Sequence, residues 1–145
     1  MRASARRVVG RGEGGFVAAE WALAIGLLLL PACLLVVSFP QWSERQNMAK
    51  VAAAEASRAV AVANDTDAGE AVGRDLVAEI ARNHGVDPAT VSVSFAGSTT
   101  RGGTVTATVS VQLPALWVPG TDGVGSVRWT TSHSEAVDQY RGFTP

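Results

Sequence analysis

The strongest constraint on this chain is a stretch of 24 residues, 16–39, that contains a single charged side chain, Glu20. As a helix it measures about 36 Å, against a bilayer hydrocarbon core of about 30 Å. Residues 24–30 (AIGLLLL), followed by the apolar residues 33–37, would be apolar on every side of such a helix. A helix lying on a globular core carries a one-sided stripe instead. Residues 16–40 therefore read as a transmembrane helix.

The charges on either side orient it. Residues 1–15 hold Arg2, Arg6, Arg7 and Arg11 against Glu13, a net of +3, whereas residues 41–145 hold eight basic and eleven acidic residues, a net of −3. Excess Arg and Lys stay on the cytoplasmic side. The expected topology is a single pass in the cell membrane, with the N-terminus cytoplasmic and the C-terminal part extracytoplasmic. Trp21 and Trp42 stand near the two ends of the run, where amphipathic rings settle at the lipid–water boundary, so membrane lipid is the first expected partner. A cleaved secretory signal fits less well, because the run is too long and lacks a small-x-small exit. Leu30-Pro31-Ala32-Cys33 resembles a lipoprotein signal, which would leave a lipidated Cys33, but apolar residues continue to Val37 where polar ones are expected. As the only cysteine, Cys33 forms no intramolecular disulfide and reads as a small packing residue.

Glu20 is the residue that needs a reason. A carboxylate at the centre of a membrane helix costs about 2.5–3.5 kcal/mol on insertion scales, and less near the end, where the helix dipole also favours an anion. On these grounds alone, a snorkelling acid and a functional one are equally acceptable. The surrounding order narrows the choice: an Arg-rich leader, Gly12-Glu13-Gly14-Gly15, then Phe16, with Glu20 the fifth residue after Gly15 and a long apolar stretch beyond.

That order resembles the type IV prepilin signal, which prepilin peptidases cut after the glycine. The resemblance implies cleavage between Gly15 and Phe16, and a mature ammonium group at Phe16 that Glu20 compensates, on its own helix or on a neighbour. Among pilin-like proteins, residues 12–63 most resemble the TadE-like family of tight-adherence (Flp-type) pilus systems, through GGFVAAEWAL (14–23), a proline inside the apolar helix, and the Ala-rich NMAKVAAAEASRAVA (47–61). Trp21 replaces the Phe, Tyr or Ala more usual there, and Pro31 lies further from the glutamate than the family pattern. The resemblance implies a pseudopilin whose partners are prepilin peptidase, other pilins or pseudopilins, and an inner-membrane assembly platform.

Beyond the span, Pro40 is expected to break or kink the helix, which resumes over 41–63 as a stalk. Met48, Ala52, Ala56, Ala59 and Ala63 share one face of that stalk, and Asn47, Lys50 and Arg58 another. A polar turn at 64–69 precedes a second helix over 68–84, started by Asp67 with Glu70 at loose capping-box spacing and carrying Val72, Leu76 and Ile80 on its apolar face. Gly85 caps its end, and His84 reads as a partner of the helix dipole rather than a ligand. The period then changes to two. Val91, Val93 and Phe95 form one strand. A loop over 96–103 leads to a second strand carrying Val105, Ala107, Val109, Val111 and Leu113. Residues 116–125 make a long Gly-rich connection, Val127, Trp129 and Thr131 mark a third strand, and a tail covers 136–141. The expected fold class is α+β: a long N-terminal helix continuing into a stalk, a second helix, and a small antiparallel meander over 64–145.

The chain offers little chemistry. His84 and His133 lack acids or cysteine at ligand spacing, so no metal is expected, and His133 reads as a surface residue. There is no nucleophile elbow, no phosphate loop and no basic-aromatic stripe, so no cofactor, enzyme activity or nucleic-acid partner is expected. The leading expectation is a TadE-like minor pilin of a bacterial envelope. The alternative is a signal-anchored or lipidated envelope protein with an exported binding domain.

Overall fold

A computed structural model of the chain describes residues 14–118, 120, 121 and 123–140, with side chains from Val17 onward. The order of elements is α1 (Gly14–Val62), α2 (Thr66–Asn83), a 3₁₀ turn (Pro88–Thr90), β1 (Val91–Gly97), β2 (Thr104–Leu116) and β3 (Val124–Ala136). The fold class is α+β, as expected. Both helices cover one face of a three-stranded antiparallel sheet in the order β1-β2-β3.

The largest departure from expectation is α1, a single helix of 49 residues that passes through Pro31 and Pro40 without interruption. Pro40 cannot donate to the carbonyl of Val36 and crowds it, at a cost of about 3 kcal/mol in a helix interior. Tertiary contacts on both sides offset that cost. Below the proline, Ser38 Oγ receives the Trp117 N–H at 2.8 Å. Above it, Trp42 Nε1 donates to the Pro114 carbonyl at 2.6 Å. The end of β2 thus braces the helix across its weak point.

The upper part of α1 is built from small side chains. Met48, Ala49, Ala52, Ala53, Ala56 and Val60 are buried, so the face is wider than the expected stripe. It touches α2 on one side and β2 and β3 on the other. Ala59 and Ala63 are half-buried, while Asn47, Lys50 and Arg58 face solvent as expected.

α2 begins two residues before its expected start. Its cap is Asp65, whose carboxylate accepts the Ala68 N–H at 2.9 Å, in place of the expected Asp67–Glu70 box. Glu70 pairs with Arg74 instead. The buried face is also displaced by one position, to Gly69, Gly73, Val77 and Ala81; Leu76 and Ile80 are only half-buried and Val72 is exposed. Glycine decides this, because the helix without side chains at 69 and 73 comes closest to its neighbours. A Cβ added at Gly69 would lie 2.6 Å from Ala63 Cβ and 3.1 Å from Val60 Cα, and one at Gly73 would lie 2.7 Å from the Phe95 ring. At the other end His84 is the C-cap residue, with its ring Nδ1 3.9 Å from Glu44 of α1.

In the sheet, period two governs as expected. Val105, Ala107, Val109, Val111 and Leu113 of β2 are buried, and Val91, Val93 and Phe95 of β1 are half-buried beside them. β3 starts earlier than expected, because β2 continues through Pro114 to pair Leu116 with Val124. The opposite face is a field of hydroxyls, including Ser92, Ser94, Thr106, Thr108, Ser110, Thr130, Ser132 and Ser134, tied across strands by Thr106–Ser134 and Ser110–Thr130 contacts of 2.8 Å.

The close approach at Gly69 generates a prediction. Gly69→Ala gains up to about 1 kcal/mol of helix propensity but overpacks against backbone-bound atoms, at about 1–3 kcal/mol. Denaturant unfolding of the detergent-solubilised chain should therefore show net destabilisation. Gly26→Ala, with nothing within 4 Å of its Cβ, keeps the propensity gain without the clash and should show no destabilisation.

Candidate functional site

The residues singled out for processing and assembly lie at the foot of α1. Gly15 and Phe16 belong to its first turn, and Glu20 stands one turn further along. Residues four apart share a helix face, so a charge at Phe16 and the Glu20 carboxylate fall on one side of the helix. Residues 1–13 and the Phe16 side chain lie outside the described set, so the basic leader is outside it too.

Glu20 is exposed, and among the described residues it has no hydrogen-bond or ion-pair partner. Its surroundings are apolar on all sides. From Val17 to Val37 every side chain is exposed except Leu34, which is half-buried. Among the described residues the carboxylate is thus displayed on an exposed apolar helix with no complement of its own. Cys33 is likewise exposed on the rod. Among the described residues, α1 is the helix long and apolar enough to cross a membrane.

Trp21 is 66% exposed, so its ring stands clear of the rest of the chain. Trp42 lies 21 residues further on, about 32 Å along the helix, a separation that matches a hydrocarbon core. The two tryptophans differ in what they touch, however. Trp42 is half-buried, packs on the core and spends its N–H on Pro114. It therefore joins α1 to the sheet whatever it contributes at a lipid boundary.

Ser38 is the residue that sequence reasoning passed over. It is fully buried, donating to the Leu34 carbonyl at 2.6 Å and accepting from Trp117. The available signal was a lone hydroxyl near the end of an apolar run, four residues before Trp42. One such residue is too common a feature to point to a contact 79 residues away.

Among the described residues, the part beyond the apolar run holds open clefts. One of about 440 Å³ is lined by Arg45, Asp87, Thr90, Gln112 and Ser126, with Arg45 donating to the Gln112 carbonyl at 2.9 Å. No group of three or more His, Cys, Asp or Glu among the described residues is placed to hold a metal. His133 is exposed, with Nε2 3.6 Å from Glu135.

The joint between α1 and β2 can be tested directly. Ser38→Ala removes the acceptor of the Trp117 N–H, and Trp42→Phe leaves the Pro114 carbonyl without its donor, each costing about 1 kcal/mol. Hydrogen–deuterium exchange should show faster exchange at the Trp117 amide in both variants, with amides of the β1–β2 pair unchanged. Comparison of the chain with protein-family models, with curated proteins and with solved structures returned no match.

Proposed function

We propose that the chain is a TadE-like minor pilin or pseudopilin, a non-enzymatic structural component of a tight-adherence pilus or secretion apparatus. In this reading α1 enters the cytoplasmic membrane with its N-terminus inside, and prepilin peptidase cuts between Gly15 and Phe16. The anchor helices then pack side by side against an inner-membrane platform and other pilins.

The observation that carries the reading is the carboxylate at Glu20, one turn after Phe16 on an otherwise apolar and exposed helix. A charge of that kind is expensive in lipid unless it is paired, and pairing is worth more there than in water. Cleavage at Gly15 would create its partner, an ammonium at Phe16. Two such helices side by side can exchange these charges, which favours one vertical register over its neighbours. The unbroken passage from rod to stalk supports the same reading, since it sets the exported domain at a fixed height above the register device.

Two outcomes follow. Mass spectrometry of the membrane-extracted chain, co-expressed with a prepilin peptidase, should give a mature form starting at Phe16. Gly15→Ala should leave the leader attached, and normal processing of that variant would end the cleavage proposal. A chain starting at a lipidated Cys33, or one left uncut, would point instead to an anchored envelope protein. In the second test, Glu20→Ala should insert as well as the parent chain but be lost from sheared pilus fractions. Recovery at the parental level would remove the role assigned to Glu20.

A further inference from the structure

We propose that the tip of the β2–β3 hairpin is a second membrane contact, seated in the headgroup layer of the outer leaflet of the bilayer that α1 enters. The inference rests on α1 being a membrane anchor and adds a surface that the anchor alone does not imply.

Three observations place the tip at that level. First, it reaches down beside the apolar run rather than standing above it. The Trp117 N–H meets Ser38, and the side chain half-covered among 17–37 is Leu34, one turn lower still. With a rise of 1.5 Å per residue, Leu34 lies about 7.5 Å inside the end of the run at Phe39. A hydrocarbon core of about 30 Å takes up about 20 residues, so a span starting between Phe16 and Trp21 leaves the hydrocarbon between about Val36 and Gln41. Trp117 and Ser38 then sit at the boundary between acyl chains and headgroups.

Second, the composition of the tip suits that layer. From Leu113 to Val127 the sequence holds one charged residue, Asp122, and it supplies Leu116, Trp117, Val118 and Val124. Trp117 and Val118 are half-exposed, Val124 is 60% exposed, and Phe39, which follows Ser38 in α1, is 67% exposed. Tryptophan is the side chain most favoured at such a boundary, and Trp42 stands one turn above Ser38. These apolar side chains gather at the end of the sheet that meets the apolar run, through the Trp117–Ser38 contact.

Third, the turn satisfies several of its own polar groups. Thr121 donates from its backbone and its hydroxyl to the Val118 carbonyl, at 3.1 and 3.0 Å, and Gly123 N–H donates back to Thr121 Oγ1 at 3.1 Å. A turn with these bonds already made gives up less to water on entering a less polar layer.

Lipid is the occupant because the tip meets the apolar run, a surface that only lipid or another apolar helix can cover, and because it lies at the depth where the rod leaves the hydrocarbon. The consequence is a two-point attachment, with the sheet held at a set angle to the membrane rather than free to swing about α1.

The test uses the full chain in a Cys33→Ala background, reconstituted in vesicles of phosphatidylethanolamine and phosphatidylglycerol. Single cysteines carrying an environment-sensitive fluorophore are placed by Val118→Cys, Leu27→Cys and Ser132→Cys. Quenching by aqueous iodide is compared with quenching by lipids brominated near the headgroup end of the acyl chain. The proposal expects the label at 118 to be quenched several-fold more by brominated lipid, and several-fold less by iodide, than the label at 132. A label at 118 that iodide reaches as readily as the one at 132 overturns it. Protection at 118 from both quenchers also overturns it, since a protein surface then covers the tip. The label at 27 reports on the anchor separately: if iodide reaches it, the membrane reading of α1 fails first. Circular dichroism of each labelled chain confirms that the helices persist.

Discussion

Everything beyond the apolar run of this chain depends on how α1 crosses Pro40. An interior proline removes a backbone hydrogen bond and crowds the preceding turn, so a helix left to itself would break or bend there. Two hydrogen bonds from one strand end bracket the position, with Trp117 N–H on Ser38 below and Trp42 Nε1–H on Pro114 above. The same contacts that carry the helix through the proline also dock the sheet. Continuity of the rod and placement of the domain are therefore one problem with one solution, and weakening either contact would loosen both.

The core those contacts position is made largely of short side chains. Ala52, Ala53 and Ala56 of α1 and Ala107 and Val109 of β2 are fully buried, and Gly69 and Gly73 let α2 approach closely. Such surfaces bury modest apolar area per residue, so stability comes from close fit more than from bulk. Larger side chains, Met48 among the buried ones and Trp42, Phe95 and Trp129 at the margin, fill what remains, and Phe95 does so at the close approach of α2. It lies half-buried against both buried clusters, with its ring edge in the gap left by Gly73 and the Arg74 guanidinium 5.7 Å from its centroid. One aromatic ring thus occupies the space that an absent side chain leaves.

Much of this architecture was legible from residue order. The apolar run declared α1, the change of period at Val91 declared the sheet, and the alternation through Leu113 assigned the buried face of β2 correctly. The misjudged features have a common cause. Helical propensity, the spacing of apolar residues and proline rules describe an element alone, whereas Pro40, Gly69 and Gly73 take their meaning from what approaches them. A glycine in a helix reads as a weak point until another element is seen to need the space. A proline reads as a stop until a strand is seen to hold the turns on either side. Asp65 rather than Asp67 as the cap of α2 is a smaller instance, since both are acceptable caps and the turn from Val62 decides between them. For the candidate site, Gly15, Phe16, Glu20 and Trp21 were visible as a linear pattern. Ser38 was not, because its function is a contact across 79 residues.

The unbroken helix also carries directional information. In a helix of 3.6 residues per turn, the interval from Glu20 to Ser38 amounts to about five full turns, so the two point to nearly the same compass bearing around the axis. Ser38 meets Trp117 at the end of β2, so on a regular helix Glu20 falls on the same side of the rod as that contact. A swivel at Pro31, which lies between the two residues, would lose that alignment. By running on as one helix through Pro31, the chain ties the azimuth of a charge on the apolar rod to the azimuth of the sheet.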